Sequence, residues 1–205
     1  MIIALDNSVR LIKQHRQNYP DIEFIQFRTP LTRYRQSSDV QYILDNGAYS
    51  GFDEGTWCRM ANESIQHAHC IGIVLPDEVG DWVTTKWLFQ CYKELIPKEK
   101  RWIVLQDGCT LKGMPWEEIS GVFVGGTNSF KYSRELFAIL EEAKARDLWI
   151  HVGRVNTPPR IIYFEDIADS FDGSGIARFS GQLDDAIQTL RHLRSTRQAK
   201  LGDFT

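Results

Sequence analysis

Short apolar runs that end in a polar residue or a glycine recur six times along this chain. In the clearest one, Tyr42–Leu44 leads directly into Asp45, and the Asn46-Gly47-Ala48 that follows fits only a tight turn. Such a run predicts a buried strand that delivers a carboxylate at its C-terminal end, which is where α/β enzymes carry their chemistry. The other five runs, each with the polar or glycine residues that end it, span 71–78, 102–108, 121–126, 148–154 and 168–173.

Two further runs near the N-terminus bring the number of predicted strands to eight. The strands are expected at about 2–5, 22–27, 42–45, 71–75, 102–106, 121–125, 148–152 and 168–172, mostly in alternation with helices. This alternation predicts an α/β protein with a (β/α)8 TIM barrel, and an open α/β sheet is the alternative. Because such barrels usually need about 250 residues, a chain of 205 residues predicts a compact barrel with trimmed connections. Segment 28–35, with three arginines and a proline, is expected to be a loop at the barrel mouth.

Composition limits the class of protein. With 42% hydrophobic residues, the chain can bury one substantial core, so we expect a single domain over residues 1–205. The net charge of −3 argues against bulk electrostatic attachment to nucleic acid, but it leaves room for a local basic groove. The four cysteines are far apart and indicate neither a zinc site nor a redox motif. Without an apolar run long enough to span a membrane, we expect a reduced, cytoplasmic protein with no membrane partner.

Acidic and amide side chains cluster at four of the predicted strand ends. They are Asp45, Asp77 with Glu78, Gln106 with Asp107, and Asp169 with Asp172. In a barrel they converge on one pocket, where repulsion and burial raise some pKa values and leave at least one competent base. Such a set also suits a metal, but His151 is the single strand-end histidine and a carboxamide is a poor ligand for a transition metal. The sequence therefore favours a site without metal or cofactor.

These groups suit a guanine-like base. A carboxylate accepts from its N1–H and N2–H groups, and the amide of Gln106 can satisfy O6. Gly125 and Gly126 lack side chains, so their backbone can approach a flat ligand closely. A second carboxylate is then free to attack an anomeric carbon. Base recognition together with a nucleophile indicates a glycosylase or a transglycosylase.

Six motifs follow one another within residues 42–175. They are Asp-Asn-Gly-Ala-Tyr-Ser (45–50), Pro-Asp-Glu (76–78), Val-Leu-Gln-Asp-Gly (104–108), Phe-Val-Gly-Gly (123–126), Val-Gly-Arg-Val-Asn-Thr-Pro (152–158) and Asp-Ser-Phe-Asp-Gly (169–173). In this order they resemble the tRNA-guanine transglycosylase superfamily, and most closely its short branch from phages and genomic islands that places 7-deazaguanines in DNA. Each motif is weak alone, and the ordered set carries the resemblance.

The resemblance implies a role for each matching position. Asp45 becomes the general acid/base, and Asp172 becomes the nucleophile that holds the sugar covalently, with Asp169 as its support or its substitute. Asp77 and Gln106 contact the purine edge. The remaining implied residues are Asn46, Tyr49, Gly125, Gly126, Val152 and Gly153 around the base, and Arg154 and Lys131 on phosphate.

The chain also departs from the family pattern. The tRNA enzymes carry a C-terminal Cys-x-Cys-x-x-Cys and His zinc site, which this sequence lacks, so we expect no zinc and a DNA acceptor rather than tRNA. The predicted activity is that of a pentosyltransferase that exchanges guanine for a preQ0-like 7-deazaguanine in DNA. The same chemistry on tRNA, a glycosidase that uses water, and a base-binding subunit of a larger complex are the alternatives. A homodimer or a partner protein remains open.

Overall fold

A closed barrel of eight parallel strands forms the centre of the molecule. The computed structural model describes residues 1–202, so residues 203–205 of the expected domain lie outside the described part. The strands are β1 Ile2–Leu5, β2 Phe24–Arg28, β3 Tyr42–Leu44, β4 Cys70–Val74, β5 Arg101–Leu105, β6 Gly121–Val124, β7 Trp149–Val152 and β8 Ser170–Asp172. Because β8 pairs with β1, with Asp172 opposite Ala4, the barrel closes. The predicted TIM barrel is confirmed over the open sheet.

Helices surround the barrel unevenly. They are α1 Val9–Asn18, α2 Glu54–Ile65, α3 Trp82–Tyr92, α4 Asn128–Lys131, α5 Arg134–Ala145, α6 Pro158–Phe164, α7 Ser174–Arg178 and α8 Ser180–Gly202. No helix joins β2 to β3, and β5 is joined to β6 by two short 3-10 turns, so the shortening falls on these two connections. In the described chain, no helix combines the length and apolar character needed to cross a membrane.

Two apolar regions hold the fold together. The larger lies between the strands and the helices and includes Trp57, Phe89 and Leu136. The smaller fills the inside of the barrel, where the fully buried Trp102 ring stacks on Trp149 at a centroid distance of 6.1 Å. Burial of this apolar surface is the main driving force for folding.

Glycines on the strands beside β5 make room for the Trp102 indole. A Cβ added at Gly72 would lie 2.1 Å from the ring, and one added at Gly121 would lie 2.5 Å from its Nε1. Since real Cβ atoms do not approach so closely, both positions require glycine or a shift of the ring. The narrow barrel therefore accommodates its largest side chain by removing two neighbouring ones.

Candidate active site

A cavity of about 460 Å³ opens at the carboxyl end of the strands. Every strand contributes to its wall through a residue at or just beyond the strand's end. In strand order these include Asp6, Thr29, Asp45, Asp77, Gln106, Gly125, Arg154 and Gly173. Convergence of this kind is the usual arrangement of active sites in TIM barrels.

Asp45 lies at the end of β3, in the turn that the sequence predicted. Gly47 adopts a left-handed conformation with φ 78°, and its N–H donates to Oδ2 of Asp45 over 3.1 Å. Burial, followed by the charges of Asp172 and Asp77, raises the pKa of Asp45 to about 8. Asp45 therefore holds a proton at neutral pH and can act as an acid.

Asp172 at the end of β8 is held by a buried histidine. The Nε2 atom of His151 lies 3.0 Å from Oδ1 of Asp172, and its Nδ1 lies 2.8 Å from the Ser170 hydroxyl. That hydroxyl accepts from the indole N–H of Trp149 over 2.8 Å, so its own hydrogen can point to Nδ1 of His151. Nε2 then carries the imidazole hydrogen and donates to Asp172.

Asp77 is fixed on both of its oxygen atoms. Asn46 donates to Oδ1 over 2.6 Å and Gln106 donates to Oδ2 over 2.5 Å. The oxygen of the Gln106 amide accepts from the N–H of Gly80 over 2.8 Å, which sets the orientation of that amide. Burial raises the pKa of Asp77, and the two amide hydrogen bonds oppose this effect. Asp77 and Gln106, which the sequence predicted to contact a base, are thus hydrogen-bonded to each other, and Asn46 also donates to Asp77.

The two glycines after β6 have different roles. A Cβ on Gly125 would lie 2.7 Å from Nε2 of Gln106, so glycine here lets the amide lie against the strand. The N–H of Gly125 donates to the Leu105 carbonyl over 3.0 Å, so it is not free to donate to a ligand. Gly126 has φ 71° and lines the cavity.

Arg154 and Tyr49 meet at the mouth of the cavity. The guanidinium carbon of Arg154 lies 4.8 Å from the centre of the Tyr49 ring, and the same guanidinium donates to the Gly126 carbonyl. Arg154 has φ 61°, a left-handed conformation that is uncommon outside glycine. Tyr49 is 70% exposed. Both side chains are therefore within reach of a ligand that enters from solvent.

Four residues from the sequence-based site do not line the cavity: Val152, Gly153, Asp169 and Lys131. Val152 is fully buried between the barrel and the helices, because it follows the inward-facing His151 and strand side chains alternate. Asp169 is exposed and precedes β8, where it accepts from the N–H of Ile150 over 2.7 Å. It lies at the opposite end of the strand from the cavity, so it does not support Asp172.

Lys131 was predicted to contact phosphate, and the structure does not support this role. It is buried, with 3% exposure, and donates to the carbonyl of Gly153. Burial, followed by the charge of Arg154, lowers its pKa to about 7. It therefore fixes the backbone beside Asp172 and is not available to phosphate. Gly153 lies beneath the site, where an added Cβ would be 2.7 Å from the Phe123 ring and 3.4 Å from Oδ1 of Asp172.

The cavity contains polar residues that the sequence-based site omitted. Asp6 follows β1 and accepts from the Thr32 hydroxyl over 2.6 Å, and burial raises its pKa. Arg178, on α7, also lines the wall. Asp6 follows an apolar strand as Asp45 does, and that signal could have identified it. Within the described residues, no group of three His, Cys, Asp or Glu side chains could hold a metal ion.

The comparisons with known proteins bear on the fold. No family model matches the chain, and no curated protein matches it. Among solved structures, it is similar to the crystal structure of KGPDC from Streptococcus mutans, with a TM-score of 0.52 over 94% of this chain and 96% of that one. The shared feature is the TIM barrel. At 12% identity, the likeness concerns the fold alone.

Proposed function

We propose that this protein is a transglycosylase, a pentosyltransferase that exchanges guanine for a preQ0-like 7-deazaguanine in DNA. The observation that carries the proposal is that two aspartates in different environments, Asp45 and Asp172, line the same cavity. Asp45 has its pKa raised to about 8, in part by the charge of Asp172. Asp172 accepts a hydrogen bond from His151. An acid next to a carboxylate nucleophile is what retaining glycosyl transfer requires.

Recognition of the base rests on Asp77 and Gln106. Each oxygen of Asp77 uses one lone pair on an amide and keeps a second that can accept from the N1–H and N2–H groups of guanine. Gln106 keeps a second N–H that can donate to O6. Hydrogen bonds already hold these groups in place, so base binding costs little side-chain entropy. Guanine and 7-deazaguanine share this edge, so one pocket serves both bases.

In the first half-reaction, a carboxylate oxygen of Asp172 bonds to C1′ of the nucleotide as the bond from C1′ to N9 of guanine breaks. Asp45 gives its proton to the leaving base, which departs neutral. The sugar is then held covalently on Asp172, and Asp45 is left as a carboxylate. Access to C1′ requires the nucleotide to leave the base stack, at a cost of a few kcal/mol in duplex DNA.

In the second half-reaction, N9 of the incoming base attacks C1′ and the ester bond to Asp172 breaks. The carboxylate of Asp45 takes the N9 proton, which restores both aspartates. Arg154 at the mouth is placed to meet a phosphate next to the target nucleotide. The resemblance of the sequence motifs to the short branch of the tRNA-guanine transglycosylase superfamily supports this reaction on DNA.

To test the proposal, the purified protein is incubated with guanine-labelled DNA or, separately, with guanine-labelled tRNA, each with and without preQ0. The release of labelled guanine is measured. We expect release from DNA only when preQ0 is present. Asp172→Asn abolishes release, because an amide is a far weaker nucleophile than a carboxylate. Asp169→Asn is the matched control, since this aspartate is next to the same strand and lies away from the cavity; it should release guanine at the wild-type rate.

Other outcomes point to other functions. Release without an added base indicates a glycosidase in which water completes the reaction. Release from tRNA alone identifies a different acceptor. Equal release by Asp172→Asn and the wild type contradicts the covalent mechanism and favours a base-binding subunit.

A further inference from the structure

A second, arginine-lined groove of about 710 Å³ lies on the outside of the barrel. It separates the β2–β3 connection from α2, at the place where a regular barrel would have a helix. We call it the arginine groove and define it by Arg28, Arg33, Arg35 and Arg59. Among the described residues that line it, Glu63 is the single carboxylate.

Arg28 is a buried cation without an acidic partner. It is 3% exposed, donates from Nε to the Tyr34 carbonyl over 2.8 Å and lies 5.1 Å from the centre of the Tyr42 ring. In the described part of the chain, none of the four groove arginines lies within 4.0 Å of a carboxylate oxygen. Burying an unpaired charge is costly, so an anion from outside would stabilise this arrangement.

The groove and the cavity share one loop. Thr29 and Leu31 line the cavity, whereas Arg33 and Arg35 line the arginine groove. Arg35 is six positions after Thr29, so the two residues can be at most about 20 to 22 Å apart, even in a fully extended chain. A strand with one nucleotide in the cavity can therefore carry its neighbouring phosphates across this loop.

We propose that the arginine groove binds the phosphodiester backbone of a nucleic-acid strand beside the nucleotide in the cavity. This inference rests on the proposed function. Guanidinium groups form paired hydrogen bonds with phosphate oxygens, which explains arginine rather than lysine at all four positions. The groove, with a volume of about 710 Å³, has room for more than one phosphate group. It also reconciles nucleic-acid binding with a net charge of −3, because the positive charge is local.

The experiment measures binding of a fluorescent single-stranded oligonucleotide to the full chain by anisotropy, across a salt series and without preQ0. The test variant is Arg35→Ala/Arg59→Ala, since both side chains are exposed and their loss should leave the fold intact. We expect affinity to fall at least tenfold at about 50 mM salt. Because each phosphate contact contributes about 0.7 to the salt slope for single strands, that slope should fall by about 1.4.

The matched control is Arg10→Ala/Arg134→Ala, which removes the same charge from exposed positions outside the groove. It should change affinity less than twofold. Equal losses in the two variants would show a general charge effect and overturn the proposal. Displacement of the oligonucleotide by equimolar inorganic phosphate would assign the groove to a free anion. Binding of polyglutamate that depends on Arg35 and Arg59, with no binding of the oligonucleotide, would assign it to an acidic protein.

The experiments distinguish a failure of the groove proposal from a failure of the proposed function. A chain that binds the oligonucleotide through the groove but releases no guanine contradicts the proposed function alone. A chain that exchanges bases while Arg35→Ala/Arg59→Ala binds as tightly as the wild type contradicts the groove alone.

Discussion

Asp45 is a carboxyl group that the fold keeps protonated. Its pKa of about 8 is well above the ordinary value of 3.8, so the folded chain binds the proton more tightly than the unfolded chain does. The resulting stability is fully present below about pH 4 and is lost as the pH rises through about 8. A neutral side chain at this position would avoid the loss.

We therefore expect Asp45→Asn to be more stable than the wild type at pH 8.5, by about 1 to 3 kcal/mol once solvent in the cavity is allowed for. Urea unfolding at pH 5 and at pH 8.5 measures the effect. The advantage of the variant should grow with pH, and a constant difference would contradict the raised pKa. Guanine release by the wild type should decline above about pH 8, where Asp45 loses its proton.

His151 positions Asp172 through its Nε2 hydrogen bond. We expect His151→Leu to lower kcat about 10- to 100-fold, the equivalent of a hydrogen bond to a charged group worth about 1.5 to 3 kcal/mol. KM should change little, because the residues proposed to bind the base, Asp77 and Gln106, do not contact His151. His151→Gln retains an N–H near the Nε2 position and should restore part of kcat. A loss confined to KM, or no rescue by glutamine, would contradict the positioning role.

Sequence reasoning identified the residues whose side chains must point into the mouth. Asp45, Asp77, Gln106 and Asp172 follow apolar strands at their carboxyl ends, where barrel geometry brings them together. The sequence-based prediction was wrong at Val152. Adjacent residues of a strand point to opposite faces, so an error of one position exchanges a side chain inside the barrel for one outside it. It also could not show that the lysine of the four-residue helix α4 is buried, since burial depends on the packing of distant segments.

At the scale of elements, β4 and β6 are shaped by the tryptophan on β5 between them. Their glycines, Gly72 and Gly121, leave the space that the Trp102 ring fills. The eight strands were predictable within about two residues because buried parallel strands read as continuous apolar runs. The glycines within two of these runs gave no comparable signal, because only the three-dimensional packing shows which ring they accommodate.

We expect Gly121→Ala to lower the free energy of unfolding by about 1 to 3 kcal/mol, since its methyl group overlaps a ring that other buried side chains hold in place. Gly181→Ala is the control, because an added Cβ there has no neighbour within 4 Å and α8 tolerates alanine. Thermal or urea unfolding of both variants measures the contrast. Equal stability of the two would show that the ring relocates at no cost.

At the scale of the whole molecule, the chain is a barrel in which the omitted helix and the arginine groove coincide. The short length predicted trimmed connections, and the sequence placed a loop at 28–35. Its three arginines were expected at the mouth, but they lie on the outer side of that loop, while Thr29 and Leu31 face the cavity. In an irregular loop, the direction of the side chains does not alternate regularly along the sequence. The sequence pattern therefore could not show which loop residues face the cavity and which face the arginine groove.

The stacked tryptophans inside the barrel have a kinetic consequence. Because Trp102 and Trp149 close the barrel below the cavity, molecules enter and leave by the same opening. For a base-exchange reaction, the first base must depart before the second arrives. Initial rates at varied DNA and varied preQ0 should then give parallel double-reciprocal lines, and free guanine should compete with preQ0 and not with DNA. Intersecting lines would require both bases to be bound at once.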